Sequence, residues 1–147
     1  MDFMTSLKIA SSGMSAQRKR IDVVSTNLAN INTTRTEEGG PYKRQSVVFS
    51  ATHPTDSFGN QLDSAMKDNI REVQVSEVIQ DREAPKMVYN PEHPDADERG
   101  YVAMPNVNLM EEMVDLISAS RSYEANVASI NATKSMLSKA IAIGGNR

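Results

Sequence analysis

Residues 3–31 read FMTSLKIASSGMSAQRKRIDVVSTNLANI, and their apolar spacing predicts the main element of the fold. From Phe3 to Ile31 the series advances by alternating steps of four and three residues, with Gln17 as its only polar member. A repeat averaging about 3.5 residues keeps one face of a helix against a partner helix, as in coiled coils. Because no proline interrupts the stretch, it predicts one helix of about 45 Å at 1.5 Å per residue.

The C-terminal segment shows the same spacing, from Leu109 to Ile141. Asn108 precedes the series and Glu111 occupies the third helical position, an arrangement typical of a capping box. Glu111 and Glu112 lie in the first turn, where the helix dipole favours negative charge. The sequence therefore predicts a second long helix, and it leaves open whether the two helices pair within one chain or between chains.

The middle of the chain differs in kind, because all six prolines fall between residues 32 and 107. Segments rich in Val and Tyr predict strands at 42–50, 72–79, 86–89 and 101–104. The predicted fold class is α+β, with long N- and C-terminal helices packed as a coiled-coil-like pair and a small loop-rich β unit between them. The corresponding segments are 1–33 for the N-terminal helix, 34–106 for the middle unit and 107–147 for the C-terminal helix.

The amino-acid composition argues against several kinds of catalytic, metal-binding and nucleic-acid-binding site. The chain has no cysteine, which excludes disulfides, thiolate nucleophiles and cysteine-ligated metals, and its formal charge of -3 does not favour nucleic acid. His93, Asp95, Asp97 and Glu98 form an acidic cluster, but Arg99 stands where a calcium loop beginning at Asp95 needs an oxygen ligand. We interpret the cluster as a solvated turn. The sequence predicts no catalytic, metal or cofactor-binding residues and thus no enzyme.

Residues 25–34, STNLANINTT, resemble the S-x-N-x-A-N-x-x-T signature that follows the first helix in the axial proteins of the bacterial flagellum, which include rod, hook and hook-associated proteins. The sequence GGPYKR at 39–44 is similar to the G-Y-K-R continuation of that family, with an insertion. Residues 107–113 and 118–126 are similar to its terminal helix. The resemblance covers both ends of the chain.

This resemblance implies a structural subunit of the proximal rod in the flagellar basal body, part of the drive shaft that crosses the periplasm. It implies export without a cleaved signal peptide, in agreement with the polar residues that interrupt the N-terminal apolar series. The implied partners are further copies of the chain, the rod subunits FlgB and FlgF, and FliE, with no nucleic acid and no insertion into a membrane. The motif residues Asn27, Asn30 and Thr33 would fix the turn that leaves the first helix.

The resemblance also implies that the two apolar series form the assembly interface. Its members are Phe3, Leu7, Ala10, Met14, Ile21, Val24, Leu28, Ile31, Leu109, Met113, Leu116, Tyr123, Val127, Ile130, Leu137 and Ile141. A competing hypothesis is a self-contained helical-hairpin adaptor that presents the β unit to a protein partner. That hypothesis explains the apolar spacing equally well, but not the Asn/Thr signature.

Overall fold

A computed structural model describes residues 3–52 and 71–144. The elements in chain order are α1 (Phe3–Ala29), β1 (Gln45–Thr52), β2 (Glu72–Gln80), β3 (Lys86–Tyr89), β4 (Tyr101–Met104) and α2 (Leu109–Gly144). β1 pairs with β2, and β3 pairs with β4, so that the described strands form two two-stranded sheets. The predicted α+β class and all four strands are confirmed. Among the described residues, no helix has the length and apolar character needed to cross a membrane.

Contacts between residues divide the chain into two compact units. Unit 1 consists of Met1–Lys19, Phe49–Ser76 and Ala119–Arg147, and unit 2 consists of Arg20–Val48 and Glu77–Ser118. Each unit therefore contains a part of α1 and a part of α2. The three-segment division into 1–33, 34–106 and 107–147 stays a prediction.

Small side chains line the contact between the helices in unit 1. Ala10, Ala16 and Ala119 are buried. Gly13 faces Asn126 so closely that a Cβ atom on the glycine would lie 3.0 Å from Asn126 Nδ2. Because the side chains at a helix contact set the distance between the axes, these residues allow a close approach.

The apolar core of unit 2 is built from Val23, Val24, Val102 and Val107. The antiparallel β3–β4 hairpin contributes Val102 to this core, and its register pairs residues 86–89 with 104–101. Gly100 has a φ of 79° in the hairpin loop, a conformation that glycine adopts without steric cost. The hairpin thus fixes one strand to the core and leaves the other outside it.

Candidate functional site

The side chain of Asn27 lies at the centre of a polar cluster in unit 2 and is 1% exposed. Its Nδ2 donates to the carbonyl oxygen of Gln45 (2.8 Å) and to Glu112 Oε2 (3.0 Å). Its Oδ1 accepts hydrogen bonds from the Gln45 backbone N–H (2.9 Å) and the Tyr42 hydroxyl (2.9 Å). Two donors and two lone pairs are the full capacity of an amide, so Asn27 is completely satisfied. It joins the last turns of α1 to the start of β1. Its bonds to the N–H and C=O groups of Gln45 resemble the two backbone bonds that a neighbouring strand would make.

Glu112 completes this cluster from the first turn of α2, where its side chain is 0% exposed. Arg44 Nε donates to Glu112 Oε1 at 2.6 Å, while Oε2 accepts the bond from Asn27. A buried carboxylate is costly unless it is paired and hydrogen-bonded, and here both oxygens have partners. We call Asn27, Tyr42, Arg44, Gln45 and Glu112 the polar clamp. It ties both terminal helices and β1 together within one chain.

The clamp perturbs the titration of two of its members. Burial raises the pKa of Tyr42, and the negative charge of Glu112 raises it further. For Arg44, burial alone would lower the pKa, but the hydrogen bond and charge of Glu112, together with the charges of Asp115 and Asp81, outweigh it and raise the pKa. Both shifts favour the protonated forms that the hydrogen bonds of the clamp require.

The other two motif residues lie in the turn that leaves α1. Asn30 Nδ2 donates to the carbonyl oxygen of Thr26 at 2.8 Å, and the same carbonyl, near the helix end, also accepts from the Asn30 backbone N–H at 3.1 Å. Thr33 Oγ1 donates to Asn30 Oδ1 at 3.1 Å, and the Thr33 N–H donates to the Asn30 carbonyl oxygen at 3.0 Å. The three motif residues therefore have two tasks, because Asn27 binds distant parts of unit 2 while Asn30 and Thr33 shape the local turn.

The predicted interface residues of α1 differ in exposure along the helix. Ala10 and Val24 are buried, and Phe3 is exposed. The remaining members are half-buried, namely Leu7, Met14, Ile21, Leu28 and, just beyond the helix, Ile31. This face of α1 is thus largely covered within the chain.

On α2 the predicted series is less covered. Leu116, Tyr123, Val127 and Ile130 are half-buried. Leu109, Met113, Leu137 and Ile141 are exposed. The fully buried positions of the helix are instead Glu112, Ala119 and Thr133, on a line shifted by one residue from Met113, Ser120 and Lys134. The fully buried line of α2 thus lies beside the predicted series, and several of the largest apolar side chains of the helix are exposed. The assembly interface stays a prediction.

The acidic turn at residues 93–98 has structural hydrogen bonds. Thr34 Oγ1 donates to Asp95 Oδ2 at 2.7 Å, and Asp97 Oδ1 accepts from the backbone N–H groups of Arg99 (2.9 Å) and Tyr101 (2.8 Å). No group of three or more His, Asp or Glu side chains with the arrangement of a metal site occurs in the part of the chain that the structure describes. These carboxylates cap and connect loops of unit 2.

Comparisons with known proteins match both ends of the chain. The family model described as flagella basal body rod protein matches residues 7–35, and the model described as flagellar basal body rod FlgEFG protein C-terminal matches residues 98–143. The chain has two long terminal helices that flank a small β region, and rod-protein models match both of its ends. These features together place it in the class of flagellar axial proteins.

Similarity to individual proteins extends over almost the whole chain. The flagellar basal-body rod protein FlgC of Borreliella burgdorferi is 45% identical over 97% of this chain and 98% of its own length. The FlgC proteins of Bacillus subtilis and Salmonella typhimurium are 47% and 40% identical, over 95% and 98% of this chain and 96% and 99% of their own lengths. The chain belongs to the flagellar basal-body rod protein FlgC family. It is a structural subunit of the rod in the flagellar basal body.

The sequence did not indicate that the residues of the polar clamp contact one another. Glu112 reads as a first-turn carboxylate at a helix N-terminus, a position that is usually solvated. Glu112, Ala119, Asn126 and Thr133 follow one another at intervals of seven residues, and this repeat is the signal that could have indicated a heptad line through Glu112. The adaptor hypothesis requires the helices to pair within one chain, whereas the rod hypothesis allows pairing within or between chains. Membership of the rod-protein family decides for the rod.

Proposed function

We propose that this chain assembles into the proximal rod through its terminal helices, whose outer apolar surfaces are covered by neighbouring subunits to form the drive shaft. The observation that carries this proposal is the outer face of α2 in unit 2. Met110 and Val114 are 68% and 64% exposed, and Ile117 is also exposed.

These residues point away from the helix contact inside the chain. At about 100° per residue, Met110 and Ile117 lie roughly opposite the buried Glu112 and Ala119. An exposed apolar surface on the outer side of a helix is stabilised where a partner covers it. Full burial of each such side chain contributes roughly 1.5–3 kcal/mol relative to exposure. A second subunit therefore has a considerable driving force to bind this face.

The partners in this proposal are further copies of the chain, the rod subunits FlgB and FlgF, and FliE, in the periplasmic part of the basal body. Membership of a rod-protein family supports assembly with other basal-body components. The acidic turn, whose carboxylates already bind backbone and hydroxyl groups, has no catalytic part in this function.

The test is deletion of the gene in the native host, followed by complementation and tomography of basal bodies. Wild type should restore a rod, whereas Val114→Asp on the outer face of α2 should leave membrane rings without one, because a carboxylate then replaces an apolar contact. Leu137→Asp in the predicted series should have the same effect. Leu28→Asp should fail in the same way.

Ser138→Asp is a matched control, since it adds the same charge to an exposed neighbouring position on α2. A second control is Glu98→Ala in the acidic turn. Both variants should build rods. Complete rods in cells that carry Leu137→Asp, with wild-type amounts of the variant incorporated, would contradict assembly through this helix.

A further inference from the structure

β3 is an edge strand with apolar side chains outside the core. Among the described residues it pairs only with β4, and all four of its residues are exposed. Proteins usually protect such edges with charges or proline, but Lys86 is the only charged residue of β3. Because side chains alternate along a strand, Met87 and Tyr89 share one face of the hairpin and Val88 lies on the other.

Tyr89 is an exposed side chain that is nevertheless held in place. It is 65% exposed, but its ring packs edge-on against Tyr101, with the ring centroids 5.3 Å apart and the planes at 66°. On another side it lies against Gly100, where an added Cβ atom would come within 3.0 Å of the ring. A rigid, protruding aromatic ring loses little conformational entropy on binding, which is the property of an interface anchor.

A groove on the outer face of α2 has the chemistry to receive such a ring. It is a shallow, open depression of about 430 Å³, lined by Met110, Val114, Glu111, Asp115 and Arg44. Met110 and Val114 supply apolar contact, while the charged side chains provide hydrogen-bonding groups. A tyrosine fits this combination, because its ring is apolar and its hydroxyl can donate to a carboxylate.

We propose that the β3–β4 hairpin of one copy docks on α2 of a second copy, with Tyr89 inserted into the groove between Met110 and Val114. The contact joins two different surfaces of the same chain, and such a heterologous contact can continue from copy to copy as a rod requires. Lys86 at the start of β3 and Glu111 at the groove also have opposite charges. This inference rests on the proposed assembly into the rod and names the surfaces that meet.

Disulfide cross-linking can test this contact, because the chain contains no native cysteine. Two differently tagged copies, one with Met87→Cys and one with Val114→Cys, are expressed together in a host that lacks the native gene. Basal bodies are purified and oxidised. Met87 is on the Tyr89 face of the hairpin, so we expect a cross-linked dimer that carries both tags.

The pair Val88→Cys and Val114→Cys is the matched control. Val88 is exposed like Met87 but lies on the opposite face of β3, so this pair should give no dimer. Adding Tyr89→Ala to the Met87→Cys copy should lower the dimer yield about tenfold, as expected for the loss of a buried aromatic anchor.

Each alternative outcome is distinct. If both tagged copies enter basal bodies but form no mixed dimer, the hairpin contact is overturned and the rod function stands. The same holds if the Val88→Cys and Val114→Cys pair gives as much dimer as the Met87→Cys and Val114→Cys pair. If Met87→Cys or Val114→Cys forms a dimer when expressed alone, the contact joins identical surfaces, and this outcome also overturns the proposed hairpin contact. If wild-type protein is absent from basal bodies, the proposed function fails and the inference fails with it.

Discussion

Replacement of Asn27 by aspartate, Asn27→Asp, is the sharpest test of the polar clamp. The two side chains have nearly the same shape, but the substitution exchanges the Nδ2 donor for an oxygen. That oxygen would lie 3.0 Å from Glu112 Oε2 and 2.8 Å from the carbonyl oxygen of Gln45. Two attractive contacts thereby become repulsive at a position that is 1% exposed.

The expected loss can be worked out from these distances. Two carboxylates 3.0 Å apart repel by about 5 kcal/mol at an effective dielectric constant of about 20. Protonation of the introduced carboxyl avoids this repulsion, and at pH 7 it costs about 4 kcal/mol, since its ordinary pKa is about 3.9 and each pH unit corresponds to about 1.36 kcal/mol. The protonated group can donate only one of the two bonds that Asn27 donates. We therefore expect Asn27→Asp to lower the free energy of unfolding by about 4 kcal/mol at pH 7.

The same reasoning predicts a pH dependence. The folded state raises the pKa of the introduced carboxyl above its unfolded value, so below about pH 4 only the missing hydrogen bond lowers the stability, and the loss grows as pH rises. The deficit relative to wild type should increase by about 1.4 kcal/mol per pH unit between pH 4.5 and 7. Urea unfolding followed by circular dichroism at both pH values measures it.

Asn30→Asp is the matched control for this substitution. Asn30 is half-buried and donates one hydrogen bond, to the carbonyl oxygen of Thr26. Its loss should cost about 1 kcal/mol with little pH dependence. If the deficit of Asn27→Asp equals that of Asn30→Asp, or does not change with pH, the electrostatic account of the clamp is refuted.

Two further substitutions probe one contact in each unit. Tyr42→Phe removes the hydroxyl that donates to Asn27 and should cost about 1 kcal/mol at pH 7. Because folding raises the pKa of Tyr42, the stabilisation from its protonated hydroxyl is complete below the ordinary value of 10.0 and is lost as pH rises from there through the raised value. The variant should therefore lose less stability than wild type in thermal unfolding as pH rises above 10. Gly13→Val forces a side chain against Asn126 and should cost about 1–3 kcal/mol in unit 1, while adding Asn126→Ala should recover most of that loss in the melting temperature.

The elements of this fold could be predicted because their signals are local. Asn108 Oδ1 accepts a hydrogen bond from the Met110 N–H at 3.1 Å, so α2 begins where the cap predicts. β3 and β4 occupy the predicted residues, since each contains a Val and a Tyr, which favour strands, and the adjacent prolines limit their length. Such signals depend only on neighbours in the sequence.

The packing side of α2 could not be predicted in this way. Alternating steps of four and three fit two adjacent lines on the helix, one through Met113 and one through Glu112 and Ala119. When the two lines are compared by the hydrophobicity of their side chains, the line through Met113 is favoured because its apolar residues are larger. Within the chain the other line is buried, since Ala119 is 0% exposed and Glu112 is bound by Asn27 and Arg44. Only the pair of surfaces, and not either helix alone, contains that information.

The polar clamp explains how a regular apolar spacing can still give one register. An apolar series that repeats every seven residues allows two helices to slide by a heptad with modest loss, whereas a polar residue within the contact permits only the register in which it finds its partner. Glu112 is such a residue, because any shift would leave its buried carboxylate without Arg44 and Asn27. With the register fixed in this way, the small residues face inward and Met110 and Val114 face outward. The clamp thereby determines which apolar surface of α2 stays outside the chain.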